Sequence, residues 1–182
     1  MSKTFVISDT HFSHANILKF KDGDKPLRPF STMDEMDEYM VERWNSVVSD
    51  EDTVYHLGDV VFAQSGFKYL EQLKGKITLC CGNHDTPRYS ADRFLQYFEK
   101  VSSYIEYKGG ILSHIPVHES QLERYKWNIH GHLHSNIVWK KRGALWEVRD
   151  DRYFCVSVEQ INYTPMLIED IIQIIKDRNG SF

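Results

Sequence analysis

Cysteine is scarce in this chain: two of the three lie adjacent at Cys80 and Cys81, and the third is remote at Cys155. Regular disulfide spacing is therefore missing, and no CxxC pair is available for a structural zinc site. Cys80 and Cys81 read instead as filling for a buried strand. No apolar run is long enough for a signal peptide or a membrane span, so the expectation is a cytoplasmic protein without membrane association. Excess positive charge is missing too. A net charge of -4 argues against strong, non-specific duplex binding, which needs many Lys and Arg contacts to phosphates. No Pro-, Gly- or Ser-rich stretch separates two differently composed halves, and no internal repeat is visible. Residues 1–182 therefore read as a single domain large enough for one buried core. With 41% hydrophobic and 26% charged residues, the chain falls outside the disordered range.

Against these absences stand five polar segments, each placed where an apolar run ends. Thr4 to Ser8 leads to Asp9-Thr10-His11, and Thr53 to Leu57 leads to Gly58-Asp59. Lys76 to Cys81 leads to Gly82-Asn83-His84-Asp85, Ile111 to Ser113 leads to His114, and Trp127 to His130 leads to Gly131-His132-Leu133-His134. Short β-branched and aromatic runs of this kind are buried strands feeding loops.

Helical signals alternate with the strands. Thr32-Met33-Asp34-Glu35 has the form of a capping box, and Met36, Met40, Trp44 and Val47 follow at helical spacing as a core-facing stripe. Gly66 to Leu73 and Tyr89 to Phe98 are shorter helical segments. A last helix is expected from Leu167 to Lys176, approached by Thr164-Pro165 and with Gly180 beyond its end. This alternation, followed by strand-rich sequence from Val101 to Val158, predicts an α/β sandwich of sheets covered by helices. In open sheets ligands gather where loops leave the carboxyl ends of strands, which is where all five polar segments fall.

Those segments supply carboxylate, imidazole and amide donors, the inventory of a paired-metal hydrolytic site. Asp9 and His11 are two positions apart, so in extended backbone both side chains leave one face and can meet one cation. His132 and His134 have the same relation. Taken in order, Asp-x-His, Gly-Asp, Gly-Asn-His-Asp, His and Gly-His-x-His resemble the signature of the calcineurin-like metallophosphoesterase superfamily. The resemblance spans Asp9 to His134, and Ser113-His114-Ile115-Pro116 suits its fourth element. It is strongest to short bacterial and phage members without a cap domain.

The resemblance implies a four-layer α-β-β-α sandwich with two central mixed β-sheets. It implies one metal held by Asp9, His11, Asp59 and His134 and a second held by Asp59, Asn83, His114 and His132, with Asp59 shared. His84 would face substrate, stabilising the phosphoryl group or protonating the leaving oxygen. Asp85 would either orient His84 or cap its own loop.

Mixed donors of this kind suit Mn, Fe, Zn or Ni rather than a soft thiolate site, with Mn favoured. Two such ions would add positive charge to a cleft, so an acidic chain can still attract phosphate. The expected activity is hydrolysis of phosphate monoesters or diesters, nucleotides and cyclic phosphodiesters among them. The alternatives are a nuclease acting on DNA or RNA ends and a non-catalytic scaffold of the same fold. Arg28 and Arg88 are candidate phosphate clamps, because guanidinium binds oxygens bidentately. His14, close behind the first ligand pair, and His118, behind His114, are candidates for substrate contact, whereas His56 and His130 read as core hydrogen-bonding residues. Lys140-Lys141-Arg142-Gly143, with Trp139 beside it, is either a solvated hairpin tip or a segment that brings phosphate or single-stranded nucleic acid toward the site.

Overall fold

The computed structural model describes residues 2–142 and 146–179. In chain order the elements are β1 (Thr4–Ile7), β2 (Lys21–Asp22), β3 (Lys25–Pro26), α1 (Met33–Val47), β4 (Thr53–His56), α2 (Phe67–Leu70), β5 (Lys76–Cys80), α3 (Ala91–Phe94), β6 (Lys100–Ser102), β7 (Tyr104–Tyr107), β8 (Gly110–Ser113), β9 (Asn128–His130), β10 (Trp139–Arg142), β11 (Trp146–Arg149), β12 (Tyr153–Cys155), β13 (Met166–Leu167) and α4 (Ile168–Asn179).

Near-continuous apolar runs such as Phe5-Val6-Ile7 need cover on both faces, which parallel strands with crossover connections provide. Two mixed sheets result. The first runs β13-β1-β4-β5-β6, parallel except for β13, and the second runs β12-β9-β8-β7, parallel except for β7. Alternation along β4 sends Val54 and His56 toward α1, where the Trp44 ring stacks on His56 at 6.3 Å. Tyr55 points the other way and meets Tyr107 of the second sheet at 5.9 Å. The α/β sandwich expected from the strand and helix pattern is thus present, and it is a member of the two-sheet class.

The helices differ from expectation in detail. Thr32 caps α1, its hydroxyl accepting from the Glu35 N–H, but Glu35 reaches back to the Ser31 N–H instead of completing the box at Thr32. Met36, Met40 and Trp44 are buried as expected. Val47 is 38% exposed, because α1 stops there and the extended backbone at Val48 turns that residue into the core instead. The two middle helices shrink to four residues each, α2 behind a 3-10 turn at Gln64–Gly66 and α3 capped by Ser90. α4 runs three residues past the expected Lys176 and buries Ile168, Ile171, Ile172 and Ile175 against β1, β13 and β12, so it ties both sheets together. Gly180 lies outside the described residues. The far face of the second sheet, carrying Asn128 and Tyr153, is met by the Val117 backbone and a 3-10 turn at Glu119–Glu123. Among the described residues no helix is long and apolar enough to cross a membrane.

The two sheets join at one point. Beyond β1, Ser8 donates its N–H to Val156 and its carbonyl accepts from Val158, so the end of β1 pairs with the continuation of β12. Because β1, β4, β5, β8, β9 and β12 share a direction within their sheets, their carboxyl ends all open beside this junction.

Candidate metal centre

Loops leaving those strand ends are stitched into one floor. The Asp9 N–H donates to Gly58, His11 to Asp59 and Phe12 to Val60, so the loops after β1 and β4 run zipped together. Five of the seven predicted ligands, Asp9, His11, Asp59, His132 and His134, adopt positive φ between 50° and 68°. Left-handed backbone is costly for residues with a Cβ and concentrates at functional sites. This corrects the extended geometry expected for the two His-containing pairs: left-handed kinks, not straight strand, turn the side chains inward. Gly82 and Gly131 are required here for space. A Cβ on Gly82 would collide with the Asp59 carboxylate, and one on Gly131 with Ser8 Oγ and Asp9 Oδ2.

All seven predicted ligands converge. Donor atoms of Asp9, His11 and His134 lie within 4.8 Å of one another, as do those of Asp9, Asp59 and His114. Asp59 Oδ2 stands between two imidazoles, 3.6 Å from His11 Nε2 and 3.4 Å from His114 Nε2. Asn83 Oδ1 is 2.8 Å from His114 Nε2, and the His132 ring packs edge-on to His114 at 5.1 Å.

The donors are also oriented. His114 Nδ1 lies 2.8 Å from the Leu57 carbonyl and His134 Nδ1 lies 3.0 Å from Glu159 Oε1, so each Nδ1–H is anchored and each Nε2 is turned inward, where loss of its proton would free it to ligate. Burial lowers the His114 pKa, but the Asp59 carboxylate outweighs it and raises it to about 9. Burial, helped by the Arg28 charge, holds His11 well below its ordinary value, so its ring is neutral. Asp9 Oδ1 and both His11 ring nitrogens are buried without a hydrogen-bond partner among the described residues. Buried polar atoms without a partner are rare in folded proteins and ask for an explanation. A carboxylate oxygen and a neutral imidazole 3.8 Å apart, both lacking partners, fit a divalent cation between them.

Three expected site residues take other roles. Arg28 is fully buried: it donates to the Thr10 carbonyl at 2.8 Å, to the Asp9 carbonyl, and to Glu159 Oε1 at 2.7 Å. It therefore cannot clamp a substrate phosphate; it pins the carbonyls of the first ligand loop. Asp85 does not orient His84. Its two oxygens accept from the N–H groups of Asp59, Val60 and Gly82, which is the loop-capping alternative. His14 is 6% exposed and stands edge-on to Phe62 at 3.5 Å, a packing position behind His11 rather than an open substrate contact.

The His84 side chain is 41% exposed, against 28% for His134, with Nε2 4.0 Å from Asp59 Oδ2. Its Nδ1 faces Arg88 Nη1 at 3.3 Å, and the Arg88 guanidinium lies 4.0 Å over the Phe62 ring. His56 and His130 are buried in the core as expected. His56 bonds Thr10 Oγ1 at 3.1 Å and accepts from the Gly58 N–H, with burial lowering its pKa to about 3. His118 caps the 3-10 turn at Glu119–Glu123.

Two participants carried no signal in the sequence. Glu159 links Arg28 to His134; burial raises its pKa, but the Arg28 charge and the His134 bond outweigh that and bring it to about 2. Ser157 donates to Asp9 Oδ2 at 2.8 Å. Both follow β12, far along the chain from the loops they hold.

Fold and site together define a protein with a buried carboxylate–imidazole centre at the shared strand ends of two sheets. The chain belongs to the calcineurin-like phosphoesterases, whose family model matches residues 2–173. It is 37% identical to the uncharacterized protein MJ1445 of Methanocaldococcus jannaschii, over 97% of this chain and 93% of that one. It is 26% identical to the Gene 66 protein of Mycobacterium phage L5, over 76% of this chain and 80% of that one. Among solved structures, the protein of unknown function AQ665 from Aquifex aeolicus superposes with a TM-score of 0.68 at 26% identity, covering 96% of this chain and all of that one.

Proposed function

We propose that this chain, acting as one domain, uses two divalent metal ions, Mn favoured, to hydrolyse phosphate monoesters or diesters. Nucleotides and cyclic phosphodiesters are the candidate substrates. The observation that carries this reading is the set of buried donors without partners, Asp9 Oδ1 and the His11 nitrogens, facing the Asp59 carboxylate that also meets His114. Asp9, His11, Asp59 and His134 would hold one ion, and Asp59, Asn83, His114 and His132 the other. When bound, such a pair supplies Lewis-acid polarisation of phosphoryl oxygens and a water of lowered pKa.

The chain's own residues supply the rest. Arg88 carries only donors, so the His84 Nδ1 beside it accepts, and the neutral ring then bears its proton on Nε2, directed toward the Asp59 side of the cleft. That N–H is positioned to donate a hydrogen bond to a phosphoryl oxygen or to the departing ester oxygen, so in this reading His84 stabilises the charge that develops there. Arg28, Glu159 and Asp85 hold the loops still, so that donor positions are set before substrate arrives.

The test pairs metal content with turnover. Protein loaded with Mn is expected to contain close to two ions per chain by elemental analysis and to hydrolyse bis-p-nitrophenyl phosphate. Asp59→Asn should lower both. Full turnover in a chelator-treated sample, or an Asp59→Asn variant equal to the wild type in metal content and rate, would remove the basis for the proposal.

A further inference from the structure

Among the described residues, the most exposed large aromatic side chains lie outside the metal centre. Trp146 is 73% exposed and Trp139 57%, whereas Trp44 and Trp127 are each 1% exposed. Burying a tryptophan is strongly stabilising, so two left in water stand out. Both sit on the antiparallel β10–β11 ribbon, whose register pairs Trp139 with Arg149 and Trp146 with Arg142. Each face of the ribbon therefore presents one indole directly across from one guanidinium. Neither ring has an aromatic or cationic stacking partner among the described residues.

Charge on the ribbon departs from that of the chain. Its strands carry Lys140, Lys141, Arg142 and Arg149 against the single carboxylate Glu147, in a protein with net charge -4. Lys140 leans on Asp150 at 3.5 Å and Arg149 on Asp151 at 3.5 Å, while Lys141 and Arg142 have no ion-pair partner among the described residues. Between the ribbon and the Val117–Glu119 segment lies a groove of about 670 Å³, lined by Trp139, Lys140, Lys141, His118 and Tyr153 and also by three carboxylates: Glu119 and Asp150, both facing Arg152, and Glu147. Tyr153 is two residues below Cys155, which pairs with His130 just before the ligand loop at His132. At the strand rise, that sets the groove floor on the order of 10 Å from the metal centre.

We propose that the β10–β11 ribbon and its groove bind single-stranded nucleic acid, and, in serving the phosphoester site, the idea rests on the reading above. Indoles beside unpaired cations match a polymer that alternates flat bases with phosphates. An acidic peptide would use the cations but not the indoles, and duplex DNA hides the base faces that the indoles would stack on. The ribbon leaves the chain five residues after His134, so a strand held here leads to the cleft.

The experiment measures fluorescence anisotropy of labelled dT15 and U15 with the full chain in chelator, where turnover cannot occur, from 50 to 300 mM salt. Saturable binding is expected, weaker for a duplex of equal length and not displaced by poly-glutamate. Trp139→Ala should weaken it about tenfold at an unchanged salt slope, Trp146→Ala, on the opposite face of the ribbon, should not, and the Lys140→Ala, Lys141→Ala double variant, at the groove wall, should flatten the slope. Hydrolysis of bis-p-nitrophenyl phosphate by the ribbon variants should match the wild type, which also shows that they fold. The proposal is overturned by no saturable binding at 50 mM salt, by a Trp139→Ala variant that binds like the wild type, by equal binding of duplex, by displacement with poly-glutamate, or by ribbon variants that lose small-diester hydrolysis. Oligonucleotide binding without any hydrolysis by the wild type would support the ribbon and remove the phosphoesterase reading instead.

Discussion

At the scale of single residues, the contact most open to test is Arg88 with His84. If Arg88 holds the His84 proton on Nε2, its removal should matter most where the departing oxygen carries the most charge. A positioned hydrogen-bond donor to such an oxygen is worth about 10²–10³-fold. Arg88→Ala is therefore expected to lower kcat by at least about tenfold on an alkyl phosphodiester and much less on a p-nitrophenyl ester, with KM nearly unchanged. Arg88 is exposed, so thermal stability should shift little. An equal loss on both substrates, or a loss confined to KM, would make Arg88 a simple phosphate clamp. The residues that touch the centre were legible because paired-metal chemistry admits few donor types, and Asp9, His11, Asp59, Asn83, His114, His132 and His134 are of those types. Arg28 was misread, Glu159 was missed and Asp85 was left between two roles for a physical reason. Their roles are hydrogen bonds to backbone, or to partners as far as 131 positions away, and neither leaves a mark in residue type.

At the scale of elements, α1 carries a charge into the core. Asp37 is fully buried, accepts from the Ser13 N–H at 2.8 Å with one oxygen, and leaves the other without a partner among the described residues. Burial raises its pKa from 3.8 to about 7, against the opposing Ser13 bond. The sign follows from proton binding. Between pH 3.8 and about 7 the folded chain keeps a proton that the unfolded chain has lost, so stability falls as pH rises through that window. The penalty is complete above about 7 and absent below 3.8. Asp37→Asn stays neutral and can still accept from Ser13. It should be more stable than the wild type at pH 8, by roughly 2–4 kcal/mol at most, and equal to it near pH 4. Thermal unfolding of metal-free samples across that range checks this, and parallel curves for the two proteins would show that Asp37 titrates alike in the folded and unfolded chain. The ends of α1 also show what element reading can reach. Thr32 marked its start, but nothing in the Val47-Val48 pair says which valine is the last to face water; the sheet packed beneath decides that.

At the scale of the whole molecule, stability and the site pull against each other. Two buried carboxylates, Asp9 and Asp59, and five ligands in left-handed backbone meet where the sheets join. The left-handed backbone and the Asp9 oxygen that lacks a partner among the described residues are costs to the folded chain that a bound cation would offset, because a group that binds only the folded state stabilises it by mass action. At a hundredfold excess over Kd one ion contributes about 2.7 kcal/mol, which for a chain of this size raises Tm by about 5–10 °C. Mn should therefore lift the unfolding temperature and chelator should return it. Asp59→Asn sharpens the expectation, since it removes a buried charge lying 3.4 Å from His114 and 3.6 Å from His11. Without metal the variant should unfold below the wild type, because it loses the carboxylate that pairs with protonated His114; with Mn it should gain little. A wild type whose Tm ignores both Mn and chelator would mean that the strained loops and buried charges serve the fold alone. A variant that gains from Mn as much as the wild type does would mean that Asp59 is held there by its histidines, not for a cation.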